Sequence, residues 1–331
     1  MKMGILGAGG IAGVMADTIR RMPQVTSWAV GSRTLKKAQA FAEKYGFQKA
    51  YGSYEELVSD PEVQLIYVAT PHSHHYENIK LCLEHNKHVL AEKAFTQNAA
   101  QAREVIALAE EKGLLLAEAI WTRYIPMRKT LDDILASGII GKATSLYATL
   151  SYPISHVERI KEPALAGGAL LDLGVYPLNF ASMVFGNDIE KLNATAVLTE
   201  KGVDGIVTAA LTYRDGRAAV IHADFHAASN REGAIYGEKG YIVVKNINNC
   251  EGIQVFDTNH RLVASYDTPP QISGYEYEVE ACIEAMEQGL TECPQMPHAE
   301  TLRIMELMDE IRHQVGVIYP NENNAASVNN Q

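Results

Sequence analysis

The feature of this sequence that most constrains its fold is the alternation of short apolar strands with helices through the first 120 residues. Apolar segments predict strands over 2–6, 26–30, 63–69, 88–91 and 114–118. Periodicity and capping signals predict helices over 11–21, up to 45, from 53 to about 60, 74–84 and 98–112. Strands that alternate with helices favour an α/β fold with a parallel, doubly wound sheet.

After residue 120 the pattern becomes rich in strands, and one helix is predicted before them, over 127–137. The strands are predicted near 142–151, 190–199, 205–213, 217–226, 232–237, 240–246, 251–257 and 261–266. Turn signals such as Arg214-Asp215-Gly216 favour antiparallel hairpins, and helices are predicted over 276–288 and 298–315. We therefore predict one domain over 1–120, an α+β domain over 121–320 and a flexible Asn-rich tail over 321–331.

Composition excludes several classes of protein. The 331 residues are 47% hydrophobic and 21% charged, which is typical of globular chains. A net charge of -11 argues against a broad nucleic-acid or membrane surface and favours small-molecule chemistry. The four cysteines form no C-x-x-C pair and are scattered along the chain, at Cys82, Cys250, Cys282 and Cys293. We therefore expect the protein to reside in the reducing cytoplasm. Because no uncharged apolar stretch reaches about 18 residues, we expect no membrane span.

A glycine cluster separates the first predicted strand from the first helix. Gly7-Ala8-Gly9-Gly10-Ile11-Ala12 fits G-x-G-x-x-A, in which the first glycine makes a tight turn and the second lets a pyrophosphate approach the backbone. The helix N-terminus that follows attracts phosphate. This placement favours a dinucleotide site, and the alternative is a glycine turn of purely structural use.

The end of the second strand reads Gly31-Ser32-Arg33-Thr34, where an NAD-selective site would place a carboxylate. A hydroxyl and a guanidinium suit a 2′-phosphate instead, since Arg donates charge-assisted, bidentate hydrogen bonds. We therefore expect NADP, with NAD possible. In the alternative interpretation Arg33 is an exposed residue at a helix start, without a ligand.

Two further segments contain candidate catalytic residues. Glu92-Lys93 follows the strand at 88–91, so it lies at the carboxyl edge of the predicted sheet, where open α/β proteins bind ligands. Lys93 could bond a substrate hydroxyl, or it could be a solvated lysine or an ion-pair partner of Glu92. Asp172 and Tyr176 are four residues apart and share a face if their segment is helical. Pro177 predicts a kink or a helix start there.

Taken together, these motifs resemble the Gfo/Idh/MocA family, which includes glucose-fructose oxidoreductase and inositol dehydrogenase. The resemblance covers about residues 2–318 and rests on the glycine turn, Glu92-Lys93, and the segments 119–124 and 167–176. Within the family, segments 118–123 and 170–176 are most similar to the branch of dimeric dihydrodiol dehydrogenase and D-xylose dehydrogenase.

The resemblance implies an N-terminal Rossmann domain, a C-terminal domain with a large, mostly antiparallel open sheet, and a substrate pocket over the nicotinamide. It makes Lys93 the family lysine, Asp172 the pocket acid, and Tyr176 the substitute for a histidine that many members have. Ala94 stands where the family motif usually has proline, which leaves open whether the preceding peptide bond is cis.

The implied chemistry is hydride transfer, which needs a group that accepts or donates a proton at the substrate oxygen. We predict that Tyr176 does so. The pKa of tyrosine is ordinarily about 10, and a nearby ammonium such as that of Lys93 would lower it. Asp172 would orient the lysine or a substrate hydroxyl. In the alternative assignment Lys93 carries the proton and Tyr176 positions the substrate.

The remaining candidates line the same predicted sites. Thr70, Pro71 and His75 follow the strand at 63–69; His75 contacts the cofactor or simply caps and packs, and we discount a metal site at these histidines because no ligand set completes it. Predicted cofactor contacts are Gly7, Gly9, Gly10, Ile11, Ala12, Ser32, Arg33, Thr70, Pro71, His75, Glu92, Lys93, Trp121 and Arg123. Predicted substrate contacts are Lys93, Tyr124, His156, Arg159, Asp172 and Tyr176.

The sequence thus predicts an NADP-dependent oxidoreductase that acts on a sugar, polyol or cyclic diol. The alternative is a non-catalytic NADP-binding sensor on the same fold, which the substitution at Ala94 favours. If the second-half strands form one sheet with an open apolar face, that face predicts a homodimer.

Overall fold

The computed structural model describes residues 1–322, which form two compact units. The first comprises Met1–Tyr124 and Gln271–Met305, and the second comprises Ile125–Pro270 and the described residues from 306 onward. The division predicted at residue 120 assigned 271–305 to the second domain, whereas this segment packs with the first unit. Of the predicted tail, 321 and 322 lie in the 3-10 turn Pro320–Glu322, and 323–331 lie outside the described residues.

The first unit contains a six-stranded parallel sheet in the order β3-β2-β1-β4-β5-β6, which confirms the predicted doubly wound sheet. Its strands are β1 (Lys2–Leu6), β2 (Thr26–Gly31), β3 (Lys49–Tyr51), β4 (Leu65–Val68), β5 (His88–Glu92) and β6 (Leu116–Ala119). The sequence analysis missed β3, which is only three residues long. The strand order reverses at β1 and β4, so ligands are expected at the carboxyl ends of these strands.

Helices connect and cover these strands. They are α1 (Gly10–Ile19), α2 (Leu35–Tyr45), α3 (Tyr54–Val58), α4 (His75–Glu84) and α5 (Ala99–Lys112), with α9 (Glu276–Glu287) and the start of α10 (His298–Val315) from the C-terminal part of the chain. Ser53 caps α3 as predicted, because its hydroxyl oxygen accepts a hydrogen bond from Glu56 N at 3.1 Å. All residues of β4 and β6 are buried, as a sheet covered on both faces requires.

Asp60 connects the two strands at the β3 edge of this sheet, β3 and β2. Its carboxylate accepts hydrogen bonds from Trp28 Nε1 at 2.9 Å, Lys49 Nζ at 3.0 Å and Tyr51 Oη at 2.9 Å. Burial alone would raise the pKa of Asp60, but the hydrogen bonds from Glu62 N and these side chains lower it to about 2. The side chain therefore holds β2, β3 and the segment before β4 together.

The second unit contains an eight-stranded sheet in the order β14-β13-β12-β11-β7-β10-β9-β8. Its strands are β7 (Ala143–Ser151), β8 (Ile189–Leu198), β9 (Asp204–Tyr213), β10 (Ala218–Asp224), β11 (Gly233–Gly237), β12 (Gly240–Lys245), β13 (Gly252–Asp257) and β14 (Leu262–Tyr266). All neighbours are antiparallel except β7 and β10, which are parallel. The predicted mostly antiparallel sheet is confirmed.

The helices of the second unit are α6 (Met127–Ala136), α7 (Glu158–Lys161) and α8 (Val175–Phe185), and the last part of α10 also belongs to it. A turn of π-helix, Leu170–Gly174, leads directly into α8. α8 packs on β7 and β10, and the strand residues on that face, such as Ala148 and Ile221, are fully buried. Residues on the other face, such as Tyr147 and Tyr236, are exposed.

One segment among residues 1–322, Pro163–Phe185, is long and apolar enough to cross a membrane by length and composition alone. Within the protein, 89% of its most apolar window is buried, as in the core helix of a globular domain. This segment is not an uncharged stretch, because Asp172 lies in its middle.

Candidate active site

The glycine turn lies between β1 and α1, at the carboxyl edge of the parallel sheet. Gly7 has φ +111°, and a Cβ there would lie 2.7 Å from Ala69 O, so this position requires glycine. A Cβ at Gly9 or Gly10 would have no neighbour within 4 Å, so both face open space. The first helical residues are Gly10, Ile11 and Ala12.

This turn fits a cofactor pyrophosphate. Gly9 precedes α1 in extended conformation, no side chain of the described residues caps the helix, and its first turn contains no acidic residue. The N–H groups at a helix N-terminus, with the positive end of the helix dipole, attract an anion. The open approach over Gly9 and Gly10 would bring a phosphate close to these donors.

At the end of β2, Ser32 is buried and Arg33 is exposed. Arg33 is close enough to influence two neighbouring rings. Burial lowers the pKa of His74 and the charge of Arg33 lowers it further, while burial raises the pKa of Tyr54 against the opposing effect of Arg33. Tyr54 and His74 therefore lie near Arg33, which follows the end of β2, where a cofactor ribose would lie.

The turn after β4 is tied to the segment after β5 by His75. This side chain is fully buried, with Nε2 2.8 Å from Thr70 O and Nδ1 2.9 Å from Ala94 O. Burial lowers the pKa of His75 and favours the neutral imidazole. Both ring nitrogens thus contact backbone carbonyl oxygens, which favours the packing interpretation, and a contact of His75 with the cofactor stays a prediction. Thr70 and Pro71 remain partly exposed at the sheet edge.

Lys93 follows the end of β5 and is half-buried. The peptide bond between Lys93 and Ala94 is cis, which answers the question that the replacement of proline left open. The preceding Glu92 is buried and accepts a hydrogen bond from the hydroxyl of Tyr67, itself fully buried. Glu92 is therefore buried at the end of β5, while Lys93, the next residue, is partly exposed.

Glu118 and Glu278 are also buried in this unit, and the sequence analysis named neither as a candidate. Burial raises the pKa of Glu118 to about 7, although Thr301 Oγ1 donates a hydrogen bond to Oε2 at 2.9 Å. Burial raises the pKa of Glu278 well above its ordinary value, and the charge of Glu92 raises it further. Within residues 1–322, neither carboxyl oxygen of Glu278 has a hydrogen-bond partner.

The segment after β6 is mostly packed. The ring of Trp121 stacks on Tyr275 with centroids 4.1 Å apart, which is the contact expected of ordinary packing. Arg123 donates a hydrogen bond to Glu300 Oε2 at 2.9 Å, and Tyr124 Oη donates to Glu118 O at 2.9 Å. Their roles as cofactor and substrate contacts stay predictions.

In the second unit, Asp172 lies in the π-helical turn and Tyr176 lies in the first turn of α8, and both side chains are buried. Turns of π-helix are frequent at functional sites. The helical pattern changes at Val175, where α8 begins, close to the kink or helix start that Pro177 predicted.

Arg159 pairs with Asp172, with Nη1 2.7 Å from Oδ1. The Arg159 side chain is 42% exposed, whereas the Asp172 side chain is 5% exposed, so the pair links a buried carboxylate to the surface. His156 is exposed in the same loop. The structure thus pairs two of the predicted substrate contacts, Arg159 and Asp172, and places Tyr176 in the first turn of the helix that follows Asp172. Among residues 1–322, no cluster of His, Cys, Asp or Glu is arranged to hold a metal ion.

Comparison with known protein families accounts for most of the chain. A model of the oxidoreductase family with an NAD-binding Rossmann fold, Gfo/Idh/MocA, matches residues 1–119, and the model of a GFO/IDH/MocA C-terminal domain matches residues 129–243. The chain belongs to the Gfo/Idh/MocA oxidoreductase family. The resemblance inferred from its motifs is therefore confirmed, and the protein is an oxidoreductase with an NAD(P)-binding Rossmann domain.

Several Gfo/Idh/MocA relatives match nearly the whole chain. Trans-1,2-dihydrobenzene-1,2-diol dehydrogenase from Bos taurus is 34% identical, covering 97% of this chain and 99% of its own. The enzyme of the same name from Xenopus laevis is 36% identical, covering 96% of this chain and 99% of its own. A solved structure of a 3-ketoreductase from Actinomadura kijaniata, in complex with NADP and TDP-benzene, has a TM-score of 0.86 at 27% identity and covers 95% of this chain and 98% of its own.

Proposed function

We propose that this protein is an NADP-dependent dehydrogenase or reductase that acts on a hydroxyl or carbonyl group of a sugar, polyol or cyclic diol. The observation that carries the proposal is that the paired Asp172 and the neighbouring Tyr176 lie on one helical segment in a member of an oxidoreductase family. Relatives named as dehydrogenases of a cyclic diol, at 34–36% identity, support this substrate class.

NADP would be held by the glycine turn and by the residues at the end of β2. Gly9 and Gly10 leave room for the pyrophosphate, and Arg33 with Ser32 would bind the 2′-phosphate. When bound, the nicotinamide supplies or accepts the hydride. A solved relative that contains NADP supports this choice of cofactor.

The proton at the substrate oxygen is assigned to Tyr176. A phenol that receives this proton from an alcohol, or donates it to a carbonyl, completes hydride transfer in either direction. Lys93 would place positive charge beside the reacting oxygen. Asp172, held by Arg159, would accept a hydrogen bond from a second substrate hydroxyl. In the alternative assignment Lys93 carries the proton.

We further propose a homodimer through the open face of the eight-stranded sheet and a cytoplasmic location. The exposed Tyr147 and Tyr236 on that face support the homodimer. The four cysteines, all of which are free thiols and buried, support the cytoplasmic location.

The test is a turnover assay with a panel of aldoses, inositols and trans-diols, each with NADP and with NAD, followed by absorbance of the reduced nicotinamide. We expect turnover of at least one substrate, faster with NADP. Tyr176→Phe should lower kcat by at least ~100-fold, because a general acid–base group contributes about 10²–10⁴-fold. Tight binding of NADPH without turnover of any substrate would instead identify a sensor, and an unchanged kcat in Tyr176→Phe would favour Lys93 as the proton carrier.

A further inference from the structure

Asp204 is a buried acid that has no role in the proposed chemistry. It is the first residue of β9 and is 1% exposed. Burial of a carboxyl group is costly unless hydrogen bonds compensate it. Its partners therefore indicate what the carboxyl group does in the fold.

The main partner is the beginning of the helix that carries Asp172 and Tyr176. Leu170 N donates a hydrogen bond to Asp204 Oδ2 at 2.6 Å. Gly168 O accepts from Asp172 N at 3.4 Å, so Gly168 is the N-cap residue of this helix. Glycine has no side chain that could cap the exposed N–H groups, and Asp204 supplies the missing acceptor from a neighbouring strand.

The backbone of the glycine pair is shaped to accept this carboxylate. Gly168 has φ +123°, and a Cβ there would lie 2.2 Å from Asp204 Oδ1. A Cβ at Gly167 would lie 2.5 Å from Ile160 O. Only two adjacent residues without side chains allow the helix start to approach both the α7 segment and the carboxylate.

The C-terminal segment holds the same turn. Tyr319 Oη donates a hydrogen bond to Gly167 O at 2.8 Å, and Tyr319 is fully buried. The guanidinium of Arg312 lies 4.7 Å from the centroid of the Tyr319 ring. Arg312 in turn pairs with Asp309 at 2.7 Å.

At this position burial outweighs the groups that favour the ionised form of Asp204. Burial raises its pKa to about 7, while hydrogen bonds from Leu170 N and Ala169 N and the charge of Arg312 oppose that rise. A carboxylate here also faces the positive end of the helix dipole, which stabilises negative charge.

We propose that Asp204 is a positioning residue, which fixes the start of the π-helical turn and thereby the direction of the Asp172 and Tyr176 side chains. This inference rests on the proposed function, because it assigns Asp204 a purpose only if those two residues act on the substrate. Asp204 itself touches neither substrate nor cofactor in this assignment.

The test compares Asp204→Ala with Asp204→Asn, which retains an oxygen that can accept from Leu170 N. Asp257 is a matched control, since its carboxylate also accepts from backbone amides, Asn259 N at 2.8 Å and Arg261 N at 2.9 Å, but in the hairpin between β13 and β14. We expect Asp204→Ala to lower kcat by ~10–100-fold, because small misplacements of catalytic groups have effects of this size. The Kd for NADPH should stay within about twofold, since the glycine turn and Arg33 remain intact.

Asp204→Asn should restore much of kcat, whereas Asp257→Ala should leave kcat unchanged. Hydrogen exchange of the amides at 169–176 should accelerate in Asp204→Ala and not in Asp257→Ala. Wild-type turnover decides the proposed function first, and the exchange measurement tests the Asp204 contact even if no substrate is found. Unchanged exchange over 169–176, or an equal loss of kcat and of NADPH binding in both Asp204 variants, would overturn the inference.

Discussion

Buried carboxyl groups determine how the stability of this protein responds to pH. Glu118 has its pKa raised to about 7 by burial, whereas hydrogen-bond donors around Asp60 outweigh burial and lower its pKa to about 2. A raised pKa makes ionisation costly in the folded state, and a lowered pKa makes it favourable. The two residues should therefore affect stability in different pH ranges.

We predict that Glu118→Gln becomes more stable relative to wild type as pH rises. Below the ordinary pKa of 4.5, Glu118 is neutral in both folded and unfolded chains, so its contribution to stability is fully present; this contribution is lost as pH rises through about 7. The relative gain of the glutamine variant between pH 5 and pH 9 should reach up to ~3 kcal/mol, from a shift of about 1.4 kcal/mol per pKa unit. Urea unfolding at several pH values measures it.

Asp60→Asn is the control for this experiment. Asp60 is ionised in both folded and unfolded chains above pH 5, and its contribution is lost only as pH falls from 3.8 toward 2. The penalty of Asp60→Asn should therefore stay constant between pH 5 and pH 9. A Glu118→Gln difference that is equally constant would contradict the raised pKa of Glu118.

Arg33 is expected to determine cofactor preference. Arg33→Asp should weaken NADP by ~10–100-fold, since hydrogen bonds to charged groups contribute about 1.5–3 kcal/mol, and should weaken NAD much less. Lys44→Asp makes the same change of charge at the far end of α2 and should spare both cofactors. Fluorescence titration with NADPH and NADH is the measurement, and equal weakening of both by Arg33→Asp would remove Arg33 from the 2′-phosphate.

At the scale of secondary structure, Gly168 is the position in the turn before the π-helix that tolerates a side chain least. Gly168→Ala should destabilise the protein by ~3 kcal/mol or more, because it combines a left-handed backbone with a Cβ 2.2 Å from Asp204 Oδ1. Gly113→Ala is the control: φ is +62°, but a Cβ there meets nothing within 4 Å, so the cost should be about 1 kcal/mol. Thermal unfolding compares the two. Equal losses would mean that the carboxylate moves away freely.

At the scale of the whole molecule, the open face of the eight-stranded sheet is the surface that most needs a partner. Tyr147 is 45% exposed and Tyr236 is 44% exposed, and the rings of Tyr241 and Phe256 stack on neighbouring strands with centroids 4.9 Å apart. Exposed apolar patches of this kind mark interaction surfaces in soluble proteins. A second copy of the same face would bury these rings.

We predict that the protein is a dimer at micromolar concentration and that Tyr147→Lys with Tyr236→Lys makes it a monomer, because buried lysines without partners are costly. Ile139→Lys removes an exposed apolar side chain of the same unit outside the sheet and should leave the dimer intact. Light scattering coupled to size exclusion measures the mass. A wild-type monomer would end this proposal.

Local sequence patterns determined the elements that the chain forms. The apolar strands, the glycine turn at Gly7 and the hairpin turn at Gly216 were all predictable. Burial of one face, or a positive φ, restricts the residue types within a few neighbouring positions. The motifs also identified the family, and they placed Lys93 at the sheet edge correctly.

Tertiary structure alone decided which of those elements meet. Asp204 accepts a hydrogen bond from Leu170 N, 34 residues earlier at the start of a helix, and Arg123 pairs with Glu300 across 177 residues. Residues 271–305 pack with the first unit, and β7 pairs in parallel with β10. Both are also contacts between segments far apart in the sequence. Such contacts depend on the path of the whole chain, and a lone acid at the start of a strand has the same local pattern whether it faces solvent or the N-terminus of a buried helix.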